Sequence, residues 1–310
     1  MKKLNNRHIL GITYLSPDEI SFILDTADSL KEILERPIKK VPPLRGRTIV
    51  NLFFEPSTRT KLSFELAAKR LSADTVSISA STSSVVKGET LIDTAKNIEA
   101  MKPDIIVMRH SMSGAPHLLA KHIDSAVINA GDGINEHPSQ ALLDMMSVRE
   151  HFGRIDGLNI TIIGDIAHSR VAHSDIIGFS KMGARVTVCG PATMIPPHIE
   201  TLGCKVVYNI HEAVRDADVV MALRIQKERQ GMALFPSERE YARVFGLDSS
   251  IFSLLRKDCV IMHPGPINRG VEMSPAVADS DRSIILDQVT NGVAVRMALF
   301  TLLLSDSRED

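Results

Sequence analysis

The chain has 310 residues, enough for about two domains, and its 44% hydrophobic and 24% charged residues exclude a disordered or fibrous protein. Its 36 Lys and Arg oppose 37 Asp and Glu for a formal charge of −1, so there is no global cationic field for nucleic acid or an anionic membrane. Aromatic residues are only 4% with no Trp, which disfavours stacking on single strands, and any bound anion must be held by local clusters of positive charge.

The predicted elements alternate in type. Ser16, Pro17 and Glu19 supply an N-cap, an N1 proline and a capping-box partner ahead of Ile20, Ile23 and Leu24. The helix they open is predicted to run to about Arg36, where Pro37 and then Pro42-Pro43 break the pattern. Strands are predicted at Thr48–Phe54, Thr75–Ser79, Asp104–Met108 and Ala126–Ala130, with helices opening near Thr58, Thr90, Ala115 and Pro138. Leu62 and Leu66 are expected on the buried face of the helix from Thr58.

A second series follows at Asn159–Gly164, Arg185–Cys189, Lys205–Tyr208, Val219–Leu223 and Cys259–His263, with helices at Ser169–Met182 and His211–Arg215 and a last one at Asp287–Leu304. Strands alternating with helices require parallel sheets, because parallel neighbours need a crossover. Two such series predict two doubly wound α/β domains joined by helices, one of residues 1–142 and 288–310, the other of 143–287. The active site is expected in the cleft between them.

The amino terminus carries no apolar run of a secretory signal, and Val293–Leu304, interrupted by Arg296, is shorter than the ~20 residues of a membrane span. A soluble protein is predicted. Cys189, Cys204 and Cys259 are odd in number and widely spaced, so neither a disulfide framework nor a zinc site is expected, and a reducing cytoplasm is the natural setting.

In open parallel sheets ligands bind beyond the carboxyl ends of the strands, so the residues following each strand carry the functional reading. After Thr48–Phe54 comes Glu55-Pro56-Ser57-Thr58-Arg59-Thr60: hydroxyls, a guanidinium and free N–H groups at a helix start, a dense site for phosphate. The plainer alternative is an N-cap by Ser57 or Thr58 with Arg59 solvated. Arg109 is predicted to follow the third strand, with His110 beside it as a structural residue. Gly131-Asp132-Gly133 suggests a dinucleotide turn, but Glu136 stands where the third glycine is required. His137 begins a helix whose N1 is Pro138. Arg170 follows Asn159–Gly164, with His168 and His173 read as helix-start and surface residues, not metal ligands. Arg224 and Gln226 follow Val219–Leu223. His263-Pro264-Gly265-Pro266 ends the last strand as a rigid turn whose carbonyls can accept from an NH₂ group.

The string FFEPSTRT, together with KGET at 87–90, VMRH at 107–110, HPSQ at 137–140 and HPGP at 263–266, resembles the aspartate and ornithine carbamoyltransferase family across both predicted domains. The HPGP turn and Arg224 match the aspartate branch. The ornithine branch, which carries HCLP at the turn and takes a cationic acceptor, is the alternative. The resemblance implies carbamoyl transfer from carbamoyl phosphate to L-aspartate, without cofactor or metal. It implies that Ser57, Thr58, Arg59 and Thr60 hold the phosphate, with Ser83, Lys87 and Arg109 closing over it, and that Thr60, Arg109 and His137 donate to the carbonyl oxygen. Gln140 and the carbonyls at Pro264 and Gly265 orient the carbamoyl NH₂, while Lys87, Arg170, Arg224 and Gln226 meet aspartate. Ser83 and Lys87 lie on a loop that, in the family, enters the neighbouring subunit's site, which implies a homotrimer with shared sites. Family trimers are compatible with further assembly with regulatory chains or with dihydroorotase. A nicotinamide-dependent oxidoreductase would need the missing glycine fingerprint, and a non-catalytic subunit would have lost site residues that this chain keeps.

Overall fold

Ser16 and Glu19 cap each other as their spacing predicts: Ser16 Oγ accepts from Glu19 N–H at 3.2 Å, and Ser16 N–H donates to Glu19 Oε2 at 2.9 Å. The helix α1 they open spans Pro17–Glu35 and buries Ile20, Ile23 and Leu24. The computed structural model describes residues 4–79, 89–226 and 235–305. Two compact units result, one running to Leu143 and resuming at Thr290, the other Asp144–Val289.

In the first unit, β1 (Thr48–Phe53), α2 (Thr58–Arg70), β2 (Asp74–Ser79), α3 (Leu91–Glu99), β3 (Ile105–His110), α4 (Ala115–Ala120) and β4 (Ala126–Asp132) follow in turn. The strands form one parallel sheet in the order β2-β1-β3-β4. Chain progression therefore reverses between β1 and β3, leaving a crevice beyond their carboxyl ends. Val50, Leu52, Ile106, Met108 and Val127 pack with Ala95, Ile98 and Leu119 of the helices on one face.

α5 (Pro138–Phe152) carries the chain into the second unit, built from β5 (Asn159–Ile163), α6 (Arg170–Lys181), β6 (Arg185–Cys189), β7 (Cys204–Val207), α7 (Ile210–Val214), β8 (Val219–Ala222), α8 (Glu238–Phe245), α9 (Ser249–Leu254), β9 (Val260–Met262) and α10 (Pro275–Ala278). Its parallel sheet has the order β7-β6-β5-β8-β9, so the reversal falls between β5 and β8. α11 (Ile285–Leu304) returns to the first unit, where Phe300 meets Phe64 with ring centroids 5.9 Å apart. Both units are doubly wound α/β.

Some local expectations are corrected. β3 extends through Arg109 to His110 and β4 to Asp132, because the ladder continues by Phe53↔Arg109 and His110↔Asp132. Arg109 is thus a strand residue rather than a post-strand one. On α2 the buried residues are Phe64, Ala67 and Ala68, which share a helical face at i, i+3 and i+4. Leu62, two positions before Phe64, points away and is 51% exposed, and Leu66 is only partly buried. The short helices α8, α9 and α10 have no counterpart among the predicted elements.

Candidate active site

The residues singled out in each series lie at or just after the carboxyl ends of its strands. In the first unit β1 ends at Phe53, and Ser57 occupies the N-cap position of α2 without using its side chain as a cap. The capping reading of Ser57 therefore fails, and the hydroxyl is left at a helix start whose first N–H groups favour an anion. Thr58, Arg59 and Thr60 form the first turn of α2. Across the reversal, Phe54 N–H donates to Arg109 O at 2.8 Å, which fixes β3 against the turn after β1. Arg109 reaches over it: Nη2 donates to Glu55 Oε1 at 2.5 Å and Nη1 to Ala130 O at 3.4 Å. His110 is held away, its Nδ1 accepting from Met112 N–H at 2.9 Å and its ring 4.8 Å from that of Phe54.

The β4 end supplies the rest of this unit's site. Asp132, fully buried, accepts from Gly114 N–H at 2.7 Å, Asn129 Nδ2 at 2.8 Å and Glu136 N–H at 3.1 Å. Glu136 accepts from Ile12 N–H at 2.6 Å and Thr13 Oγ1 at 2.8 Å. The residue that breaks the dinucleotide pattern thus pins the amino-terminal segment beside His137. Gln140 N–H donates to His137 O at 2.9 Å, so His137 stands at the start of α5; it and Gln140 are buried.

In the second unit, Leu223 N–H donates to Ile163 O at 2.8 Å across the β5–β8 reversal. Gly164 follows with φ +139°, and a Cβ there would lie 2.9 Å from Leu223 Cβ and from Leu223 O, so only glycine allows the two turns to close. Asp165 Oδ1 then faces His168 Nδ1 at 2.7 Å, and Asp165 Oδ2 accepts from Gln226 N–H at 3.2 Å. Arg170, buried, is the first residue of α6, and N-cap Ser169 accepts from Ala172 N–H at 3.1 Å. Arg224 Nη2 donates to Gln226 Oε1 at 3.3 Å. Beyond β9, His263 Nδ1 accepts from Gly265 N–H at 2.7 Å, shaping the Pro264–Gly265 turn. His173, expected at the surface, is half-buried on α6 beside Ala172 and Ser174, as is His168 through its bond to Asp165.

Each series thus lies within one unit, at strand ends or at the helix starts and turns that follow them: Ser57, Thr58, Arg59, Thr60, Arg109, His137 and Gln140 in the first, and Arg170, Arg224, Gln226, Pro264 and Gly265 in the second. Ser83 and Lys87 lie outside the described residues. Glu55 and Asp165 were not among the candidates; both are carboxylates that engage a candidate side chain or its backbone, a relationship set by which strands become neighbours. No thiol offers a nucleophile. Burial pushes Cys189 and Cys259 up to about 12 and Cys204 up to about 11. The donor set of guanidinium groups, hydroxyls and backbone amides suits planar oxyanions and phosphate.

Comparison with known proteins agrees with this chemistry. Residues 7–150 match the carbamoyl-P binding domain and residues 156–303 the Asp/Orn binding domain of aspartate/ornithine carbamoyltransferases. The aspartate carbamoyltransferase catalytic subunit of Desulfotalea psychrophila is 66% identical over 304 residues, covering 98% of this chain and 96% of that protein. Its counterpart in Desulforapulum autotrophicum is 64% identical over 306 residues, 99% of this chain and 98% of that one. Among solved structures, aspartate transcarbamoylase from Trypanosoma cruzi in complex with carbamoyl phosphate and aspartate aligns with a TM-score of 0.87 at 28% identity, covering 96% of this chain and 97% of that chain.

Proposed function

This chain belongs to the aspartate/ornithine carbamoyltransferase family, and on that premise we propose that it transfers the carbamoyl group of carbamoyl phosphate to the α-amine of L-aspartate. The products are N-carbamoyl-L-aspartate and phosphate, a step of pyrimidine biosynthesis. The observation that supports the reading is where the candidates fall about the two reversals: Ser57–Thr60 follow β1 and Arg109 lies at the end of β3, while Arg170 follows β5 and Arg224 and Gln226 follow β8. That the named close relatives are aspartate enzymes favours aspartate over ornithine as acceptor.

Chemically, the amine nitrogen bonds to the carbamoyl carbon, the bond from that carbon to the phosphate oxygen breaks, and the amine proton passes to the departing phosphate. A phosphate dianion and a dicarboxylate repel each other, more strongly where water is excluded. Arg59, Lys87 and Arg109 of the carbamoyl-phosphate-binding domain and Arg170 and Arg224 of the aspartate-binding domain offset that repulsion. Ser57, Thr58, Arg59 and Thr60 hold the phosphate with Ser83 and Arg109. Thr60, Arg109 and His137 donate to the carbonyl oxygen as charge develops on it. Gln140 and the carbonyls of Pro264 and Gly265 accept from the carbamoyl NH₂, and Lys87, Arg170, Arg224 and Gln226 orient aspartate. Catalysis then rests on positioning and preorganised charge.

The loop bearing Ser83 and Lys87 serves the neighbouring site of a homotrimer, a reading supported by its match to the family loop. No described helix is long and apolar enough to cross a membrane, and the reaction belongs in the cytoplasm. The test is an acceptor screen: carbamoyl phosphate with aspartate, ornithine or putrescine, followed by phosphate release. Release with aspartate alone is expected; release driven by ornithine would overturn the assignment.

A further inference from the structure

One buried polar chain in the second unit reaches the candidate site at one end only. Gly265 N–H donates to His263 Nδ1 at 2.7 Å, which puts the proton of the neutral ring on Nε2, 3.3 Å from Glu272 Oε1. The backbone N–H of His263 donates to Gln288 Oε1 at 2.9 Å, and Gln288 Nε2 donates to Asp144 Oδ1 at 2.6 Å. His263, Glu272, Gln288 and Asp144 are all buried. Asp144, on α5, also meets Asp175 on α6. Burial first, and then the Asp144 carboxyl, raise Asp175 well above the ordinary carboxylate range.

The two contacts of the Gln288 amide fix its direction. At position 288 the two demands are opposite: an acceptor toward His263 and a donor toward Asp144. A side-chain amide meets both. A carboxylate lacks the donor and would set a third acid against the Asp144–Asp175 pair, and an apolar residue meets neither.

We propose that Gln288 is a positioning residue for carbamoyl transfer: by holding the backbone of His263 it fixes the Pro264–Gly265 turn, so that the turn's carbonyls meet the carbamoyl NH₂ in one orientation. The role rests on the reading that those carbonyls contact the carbamoyl group. Gln288 touches no substrate. Its loss lets the turn shift, and displacements of about 1 Å can cost up to about 100-fold in rate. Phosphate, which has no NH₂ group, is blind to the turn and serves as the internal control.

The test compares the full-length wild type with Gln288→Met, Gln288→Glu and the double variant Gln288→Glu with Asp144→Asn. The double variant restores one donor and one acceptor across the 144–288 contact with the charge moved to the other side. Gln288→Met is expected to lower kcat by roughly 10- to 100-fold, while the KM for aspartate and inhibition by inorganic phosphate stay within about two-fold. Gln288→Glu is expected to fall at least as far, and the double variant to recover most of the loss. A kcat within two-fold of wild type for Gln288→Met, a parallel loss of phosphate inhibition, or a double variant no better than Gln288→Glu would each overturn the role. Wild-type protein without carbamoyl transfer overturns the reading of the site and this role with it; normal wild-type transfer alongside an unaffected Gln288→Met overturns this role alone.

Discussion

Arg109 Nη2 donates to Glu55 Oε1 at 2.5 Å, joining the end of β3 to the turn after β1 by an ion pair whose side chains are only 12% and 20% exposed. An incoming phosphate must share or displace that carboxylate to use the guanidinium. Substituting Glu55→Gln removes the competing charge. Inorganic phosphate is then expected to bind about 3- to 10-fold tighter, the scale of a partly exposed ion pair worth about 1 kcal/mol, with the gain shrinking in high salt. Titration calorimetry at two ionic strengths checks both parts; weaker binding in the variant would contradict the competition.

Arg59 is exposed in the first turn of α2 and fills no part of the core. Arg59→Ala is expected to reduce turnover by at least about 100-fold, with an unchanged far-ultraviolet circular dichroism spectrum and melting temperature. Near-normal activity would contradict its place on the phosphate.

The proposed sharing of sites has its own signature. Lys87→Ala and Arg59→Ala trimers, each inactive, are expected to regain part of the wild-type activity when their subunits are exchanged, because mixed trimers contain sites that receive both intact residues. Mass spectrometry establishes that mixed trimers have formed. If they form and activity stays at the background of the single variants, the loop does not cross between subunits.

Asp248 caps α9, accepting from Ser250 N–H at 2.9 Å, Ser250 Oγ at 2.6 Å and Ile251 N–H at 3.0 Å. The bond from the Ser250 hydroxyl, followed by that from Ile251, lowers its pKa below the ordinary carboxyl value. A depressed folded-state pKa means that the stabilisation is complete above the unfolded value near ~4 and is lost as pH falls through the folded one. Asp248→Ala is therefore expected to cost about 1 kcal/mol at pH 7, and the gap to wild type should narrow as the pH is taken below 4. Chemical denaturation at both pH values measures it; an equal gap at the two would remove the charged cap as the cause.

Local chemistry made much of the fold legible. Ser16 with Pro17 and Glu19, and Thr90 with Asp93, announce helix starts through caps that need only neighbouring residues. The alternation of apolar runs with helices announces parallel sheets. Sequence order hides which strands become neighbours. β1 lies between β2 and β3, and that non-consecutive pairing puts Arg109 beside Glu55; β5 beside β8 likewise puts Asp165 under Gln226. The motif string contained Glu55, yet its partner stands far along the chain. The four to eight residues of α8, α9 and α10 are too few for a clear helical period. Tyr241, Phe245, Ile251 and Val277 on those helices are buried in a shared core cluster, so tertiary contacts help hold them. Two leucines four apart suggest a buried stripe through Leu62, whereas the larger Phe64 with Ala67 and Ala68 takes the core side.

Glu136 reaches back to Ile12 and Thr13, while Ile9 pairs with Ile128 of β4. The leading segment is therefore part of the scaffold that steadies His137. Trimming the chain past Thr13 would remove the Ile12 and Thr13 donors from the Glu136 carboxylate, one residue from His137, which is proposed to meet the carbamoyl oxygen. A shortened version that expresses well and keeps its helicity could still be catalytically crippled, so engineers should attach fusions ahead of this segment and leave its residues in place.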